Sequence, residues 1–176
     1  KEKDIFDIEY WSLEQAKVNK SKKSLQGKVV VITGSLGTIG FETYKIFKQQ
    51  GAEVVLLDYD KSKIKETQLH IPDLCLFADV TNRKSVGKAY KEICETFGGI
   101  DILVSNAGSV SSGPIADISD VNLKKSFDDN FFSHQICASE AVKVMLHQKS
   151  KGCLLFNISK QSVNPGLNFG SYGLPK

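Results

Sequence analysis

Long hydrophobic runs are missing from this sequence. No stretch approaches the ~20 consecutive apolar residues that a membrane span requires, and no apolar segment near the N-terminus has the form of a signal peptide. Histidine is scarce, and none of the three has a partner at ligand spacing, so no metal site is expected. The four cysteines, Cys75, Cys94, Cys137 and Cys153, form no C-x-x-C or other ligand pattern. That leaves them as reduced, buried, small hydrophobes in a cytoplasmic protein. An excess of one charge is also lacking. The net charge is +3, much of it from the lysines of "NKSKKSLQGK" (19–28), which have no arginine or aromatic interleaved and read as a solvated linker rather than a nucleic-acid arm. The numbering opens on Lys1 and the one methionine is Met145, so the chain is expected to be a piece of a longer product.

What is present is a soluble globular composition, 41% hydrophobic, on a length that suits one domain with a real core. From Lys28 onward, strand and helix patterns alternate. "KVVVIT" (28–33), "EVVLLD" (53–58), "DLCLFA" (73–78), "DILVSN" (101–106) and "CLLFNIS" (153–159) are apolar, β-branched runs that predict strands buried on both faces. Between them, helical spacing is found over 39–51, with Gly51 past its end, around 61–68, over 82–98, and as one long helix over 121–149. The fold class expected is α/β, a doubly wound parallel sheet truncated after the fifth strand. Residues 1–26 stand outside this rhythm as an arm or linker, and 27–176 form the domain. "SLEQAKVNK" (12–20) offers a Ser N-cap with Gln three residues on and predicts a short helix.

The first strand runs through "TGSLGTIG" (33–40) into the first long helix. Glycines let the backbone approach a pyrophosphate, and the free N–H groups at a helix start favour its charge. Gly34, Ser35, Gly37, Thr38, Ile39 and Gly40 are therefore candidates for binding a dinucleotide, against the alternative of a βα turn that merely needs glycine. Asp58 closes the second strand 18 residues after Gly40. A carboxylate there can accept from both ribose hydroxyls and repels a 2′-phosphate, with no arginine near it in sequence, so NAD is favoured over NADP. In "ADV" (78–80), Asp79 can accept from the adenine amino group with Val80 against the ring; Asp79 is equally placed to cap the next helix. "SNAG" (105–108) supplies Asn106, Ala107 and Gly108, a small-residue turn that lets backbone approach the adenosine ribose.

These motifs in order, with Asn130 on the long helix, "NIS" ending at Ser159, and the pair Tyr172 and Lys176, resemble the short-chain dehydrogenase/reductase family over residues 28–176. The resemblance implies a nicotinamide-dependent oxidoreductase acting on an alcohol or carbonyl. Tyr172 would exchange a proton with the substrate oxygen. Free tyrosine ionises near pH ~10, and Lys176 would favour the phenolate and bind the nicotinamide ribose. Ser159, 13 residues before Tyr172, would hydrogen-bond the same oxygen. Asn130 would hold a water linking Lys176 to solvent, its alternative being a solvated helix face. The family further implies a homo-oligomer and additional strands and substrate-covering helices after Lys176. Without them the chain is expected to bind NAD weakly, to show no measurable turnover, and to hold Tyr172 and Lys176 poorly ordered or displaced.

Three features depart from the common pattern. Gly34, Gly37 and Gly40 follow the G-x-x-G-x-x-G spacing of the extended, epimerase-like branch, which keeps an epimerase or dehydratase as an alternative, beside a non-catalytic NAD-binding fragment. Lys160 and Gln161 follow the serine and either shape a polar or anionic substrate site or form a surface pair. Pro175 precedes Lys176, which sets the start of the last helix close to Tyr172. "EYWSLEQAK" (9–17) and "SKQSVNPGLNFGSYGLPK" (159–176) also resemble the dehydrogenase half of bifunctional rhamnulose-1-phosphate aldolase/alcohol dehydrogenase proteins. That implies an aldolase domain, fused or associated, and a sugar- or lactaldehyde-related substrate. No nucleic-acid or membrane partner is expected.

Overall fold

In the computed structural model, residues 23–176 are described, and the helix expected over 12–20 lies outside them. Five parallel strands, β1 (Val29–Thr33), β2 (Glu53–Asp58), β3 (Cys75–Phe77), β4 (Ile102–Ser105) and β5 (Cys153–Phe156), are ordered β3-β2-β1-β4-β5. The helices are α1 (Thr38–Gln49), α2 (Lys61–Gln68), α3 (Arg83–Phe97), α4 (Asp120–Phe127), α5 (Ser133–Gln148) and the four-residue α6 (Gly170–Gly173). This is the Rossmann-like arrangement expected. The chain builds outward from β1 through β2 to β3, then returns to lay β4 on β1's other side, so the strand order reverses between β1 and β4. Ligands of open α/β sheets bind at the carboxyl ends of the strands at such a switch point.

The strand runs are continuous in valine, isoleucine and leucine because both faces are covered. Val30, Ile32, Val54 and Leu56 pack with Tyr44 of α1 and Ile64 of α2 on one face. Val31, Val55 and Leu57 pack on the other with Val86, Tyr90 and Ile93 of α3 and Cys137, Ala141 and Met145 of α5. Each fully buried aliphatic side chain contributes about 1.5–3 kcal/mol. Lys28 and the Val29 amide both bind the Asp101 carboxylate, at 2.8 and 2.9 Å, which aligns the entry of β1 with β4.

Three expectations need correction, and one alternative, Asp79 as the cap of α3, is decided. The long helix over 121–149 is not continuous: a π-turn over Asp128–Phe132 separates α4 from α5. β5 is not buried on both faces, since Cys153 is exposed and Leu155 and Phe156 are nearly half exposed. Cys94 is half-buried, so only Cys75 and Cys137 are the buried thiols expected. The cap of α3 is Asn82, whose Oδ1 accepts from the Lys84 and Ser85 amides, while Asp79 Oδ1 instead accepts from the amide and hydroxyl of Thr81. Gly51 lies past the end of α1 at φ +86°, as expected.

Candidate dinucleotide site

At the carboxyl ends of the strands lies an open cavity of about 940 Å³. Its walls come from the glycine turn (Gly34, Gly37, Thr38, Ile39, Gly40), the end of β2 (Asp58, Tyr59, Asp60, Lys63), the end of β3 (Phe77 to Thr81), the turn after β4 (Asn106 to Val110), and Asn157, Tyr172 and Lys176. Most residues picked from scattered stretches of sequence therefore meet in one place.

The turn is shaped by close approach. Gly34 has φ +60°, and a Cβ there would come within 2.9 Å of the Ala107 Cα. A Cβ on Gly40 would collide with the Gly34 carbonyl oxygen. Ser35, named with the cofactor-binding residues, does not reach the cavity. It is fully buried, and both its amide and its hydroxyl donate to the Leu57 carbonyl, pinning the turn to β2. Gly37 caps α1 without a side-chain hydrogen bond, and no acidic residue occupies the helix's first turn. The helix start thus offers amide donors and partial positive charge with no side-chain anion to neutralise them.

Asp58 is buried at the end of β2. Oδ2 accepts from the Leu36 amide at 3.0 Å and Oδ1 from the Asp60 amide at 3.1 Å. Its carboxylate is fixed by the turn while each oxygen retains a lone pair for a further donor. Lys63 lines the same wall, a cation that a search for nearby arginine did not anticipate. Asn106, in the cavity wall, also braces the strand ends. Nδ2 donates to the carbonyls of Thr33 and Gly34 at 3.1 Å, and Oδ1 accepts from Asn157 Nδ2 at 2.8 Å, so one side chain ties the ends of β1, β4 and β5 together. Asp79, Val80, Ala107 and Gly108 all line the cavity.

Asn130 is almost wholly buried, which removes the solvated-face alternative. It lies in the π-turn rather than in a regular helix. Its Nδ2 donates to the carbonyls of Ser109 and Ser126 at 2.9 and 3.0 Å, and its Oδ1 accepts from the Ser109 amide at 3.1 Å. The amide side chain is thereby spent on backbone groups. Gly108 is wedged beside it: a Cβ there would lie 2.7 Å from Asn130 Oδ1 and 2.9 Å from Lys176 Nζ.

Tyr172 belongs to α6, which starts at Gly170, and Leu174 after it keeps right-handed helical geometry ahead of Pro175 and Lys176. The pair still faces one another, with Lys176 Nζ 5.9 Å from the Tyr172 ring centre. That Nζ donates to the Asn157 carbonyl at 3.3 Å, and burial lowers the lysine's pKa. Ser159 Oγ accepts from the Gln161 amide at 3.2 Å and is not hydrogen-bonded to Tyr172. Gln161 is committed to its own loop, Oε1 accepting from the Gly166 amide, and Lys160 is exposed. Lys125 and Asp129, ion-paired at 2.8 Å, also line the cavity with Ser109 and Asn157; sequence reasoning passed over all four, and only Asn157 carried a signal, its place two residues before Ser159. Among the described residues no group of acidic, histidine and cysteine side chains could hold a metal, and no helix is long and apolar enough to cross a membrane.

Comparison with known proteins bears on the family and the fold. Residues 28–176 match the family described as short chain dehydrogenase. An uncharacterised oxidoreductase of Bacillus subtilis, YuxG, is 30% identical over 99% of this chain and 27% of its own length. An uncharacterised oxidoreductase of Thermotoga maritima is 33% identical over 87% of this chain and 59% of its own. The chain thus spans between about a quarter and three fifths of these relatives. The crystal structure of an NAD+-bound xylitol dehydrogenase superposes with a TM-score of 0.81 at 24% identity, covering 88% of this chain and 61% of that one, a likeness of fold. With the glycine turn, the strand-end cavity and the Tyr172–Lys176 pair assembled on one sheet edge, the chain belongs to the short chain dehydrogenase family of oxidoreductases.

Proposed function

We propose that this chain is the cofactor-binding portion of an NAD-dependent oxidoreductase acting on an alcohol or carbonyl compound. The observation that carries the reading is Asp58, fixed by two backbone amides at the wall of the cavity. The residues fit a dinucleotide: a helix start with no side-chain cap for the pyrophosphate, a glycine turn beneath it, and a carboxylate at the ribose. Bound NAD supplies the hydride acceptor or donor.

This chain's own groups do the rest. Asp58 would accept from the ribose hydroxyls of bound NAD, Asp79 and Val80 would border the adenine, and the turn of Asn106, Ala107 and Gly108 would let backbone approach the adenosine ribose. Tyr172 holds the proton exchanged with the substrate oxygen. Lys176, half-buried and charged beside it, favours the phenolate, and its lowered pKa makes it a readier proton donor. Ser159 accepts from the Gln161 amide, which leaves its own O–H free to donate to the substrate oxygen. Asn130 holds the turn after β4 in place, its side chain being occupied by Ser109 and Ser126.

A sugar- or lactaldehyde-related substrate is the finer reading, from the resemblance of the arm and tail to aldolase-linked dehydrogenases. This chain covers 27% of YuxG, which leaves room in that relative for a further domain. The test uses the intact protein with NAD+ and a panel of short polyols and hydroxyaldehydes. NADH release is expected, Tyr172→Phe abolishes it, and Asp58→Ala lowers NAD affinity about tenfold while affecting NADP less. Tighter binding of NADP by the unmodified protein, with Lys63 then holding the 2′-phosphate, would overturn the assignment of NAD.

A further inference from the structure

Tyr172 sits in α6, and Pro175 follows it closely. Proline has no N–H, so the Ser171 carbonyl four residues before it lacks the helical donor that another residue would supply. The helical bonds here are Gly173 N–H to the Phe169 carbonyl at 2.7 Å and Leu174 N–H to the Gly170 carbonyl at 3.0 Å. The Ser171 carbonyl therefore finds its hydrogen bond outside α6.

Ser126, in the last turn of α4, is 2% exposed. Its Oγ donates to the Ser171 carbonyl at 2.8 Å and accepts from Ser111 Oγ at 3.1 Å. Ser111 Oγ also lies 3.2 Å from Ser171 Oγ, and Ser171 is completely buried. The Ser171 carbonyl and the Tyr172 amide belong to one rigid peptide plane. On its other side that plane is held by the Tyr172 N–H, which donates to the Phe169 carbonyl at 3.1 Å. Ser126 is tied in turn to the cavity wall, because Asn130 Nδ2 bonds the Ser126 carbonyl as well as that of Ser109.

We infer that Ser126 is a positioning residue for Tyr172: its hydroxyl fixes the Ser171–Tyr172 peptide plane and couples the phenol to the turn after β4. The inference rests on the reading of Tyr172 as the proton-exchanging group. Misplacing a reacting group by about 1 Å can cost about 100-fold in rate, so the hydroxyl acts on turnover without touching substrate or cofactor.

The test is spectroscopic. In intact protein carrying tyrosine labelled with ¹³C at ring Cζ, Tyr172→Phe identifies the Tyr172 resonance. Ser126→Ala is expected to move or split that resonance, leave NAD affinity by calorimetry within about twofold, and lower kcat about tenfold or more. Ser126→Thr, which keeps the hydroxyl, restores the resonance. Where Ser126→Ala does not fold, Ser111→Ala carries the same readout with a smaller shift expected. A Tyr172 resonance unmoved in the variant overturns the inference, and so does a shift accompanied by loss of NAD affinity. Absence of NAD binding by the unmodified protein, or full turnover by Tyr172→Phe, instead overturns the functional reading on which the inference rests.

Discussion

His134, on α5, is a buried titratable residue that the proposed chemistry does not use. Its Nδ1 lies 2.6 Å from Ser105 Oγ, and its Nε2 is buried with no hydrogen-bond partner among the described residues. The ring meets Phe156 edge-on at 6.0 Å. Burial, with the nearby Lys176 charge as a second cause, lowers its pKa to about 4. An unfolded histidine titrates near ~6.5, so between these values the unfolded chain binds a proton that the folded chain refuses. Stability from this group is complete above pH ~6.5 and is lost as pH falls towards ~4, by about 1–3 kcal/mol after allowance for solvent screening. His134→Gln keeps a partner for Ser105 but cannot titrate. Urea midpoints at pH 7 and pH 4.5 should show the unmodified protein losing more stability on acidification than the variant. Equal losses would mean that His134 takes up its proton in the folded state.

At the scale of the element, the periodic segments were legible and their interruptions were not. α2 falls where its pattern put it, and β1 to β4 match their expected runs to within two residues at either end. The π-turn escaped notice because an extra residue in a helix merely shifts the phase of its apolar stripe. "FDDNFF" (127–132) fits a continuous helix about as well as a broken one. Asn130 then looked half solvated although it is buried. The cap at the start of α3 was ambiguous for a different reason. Asp79 and Asn82 are both acceptors ahead of one helix, and the register of the turn decides between them. Asn82→Ala is expected to cost about 1 kcal/mol, because two first-turn amides lose their acceptor. Asp79→Ala should cost less in stability and more in NAD affinity. A comparison of the two variants by urea denaturation and calorimetry separates cap from cavity wall, and an equal stability loss would count against Asn82 as the dominant cap.

On the scale of the molecule, the candidate site was readable because the doubly wound topology delivers every strand's carboxyl end to one edge. Gly34, Asp58, Asp79 and Asn106 end successive strands and so had to converge. The fate of β5 was not readable, since "CLLF" has the composition of a buried strand and its exposure depends on what lies beside it. Among the described residues β5 pairs only with β4, and no strand lies along its other edge. Leu155 and Phe156 are 46% and 45% exposed, and Ile158 beyond them is 61% exposed. An open strand edge flanked by apolar side chains is a template for pairing with another chain. The 176 residues prepared by themselves should therefore self-associate as concentration rises. Leu155→Lys places a charge beside that edge without disturbing the cavity, and it is expected to lower the weight-average mass in sedimentation velocity while NAD affinity stays unchanged. The same mass distribution for both proteins at matched concentrations would show that association, where it occurs, runs through another surface.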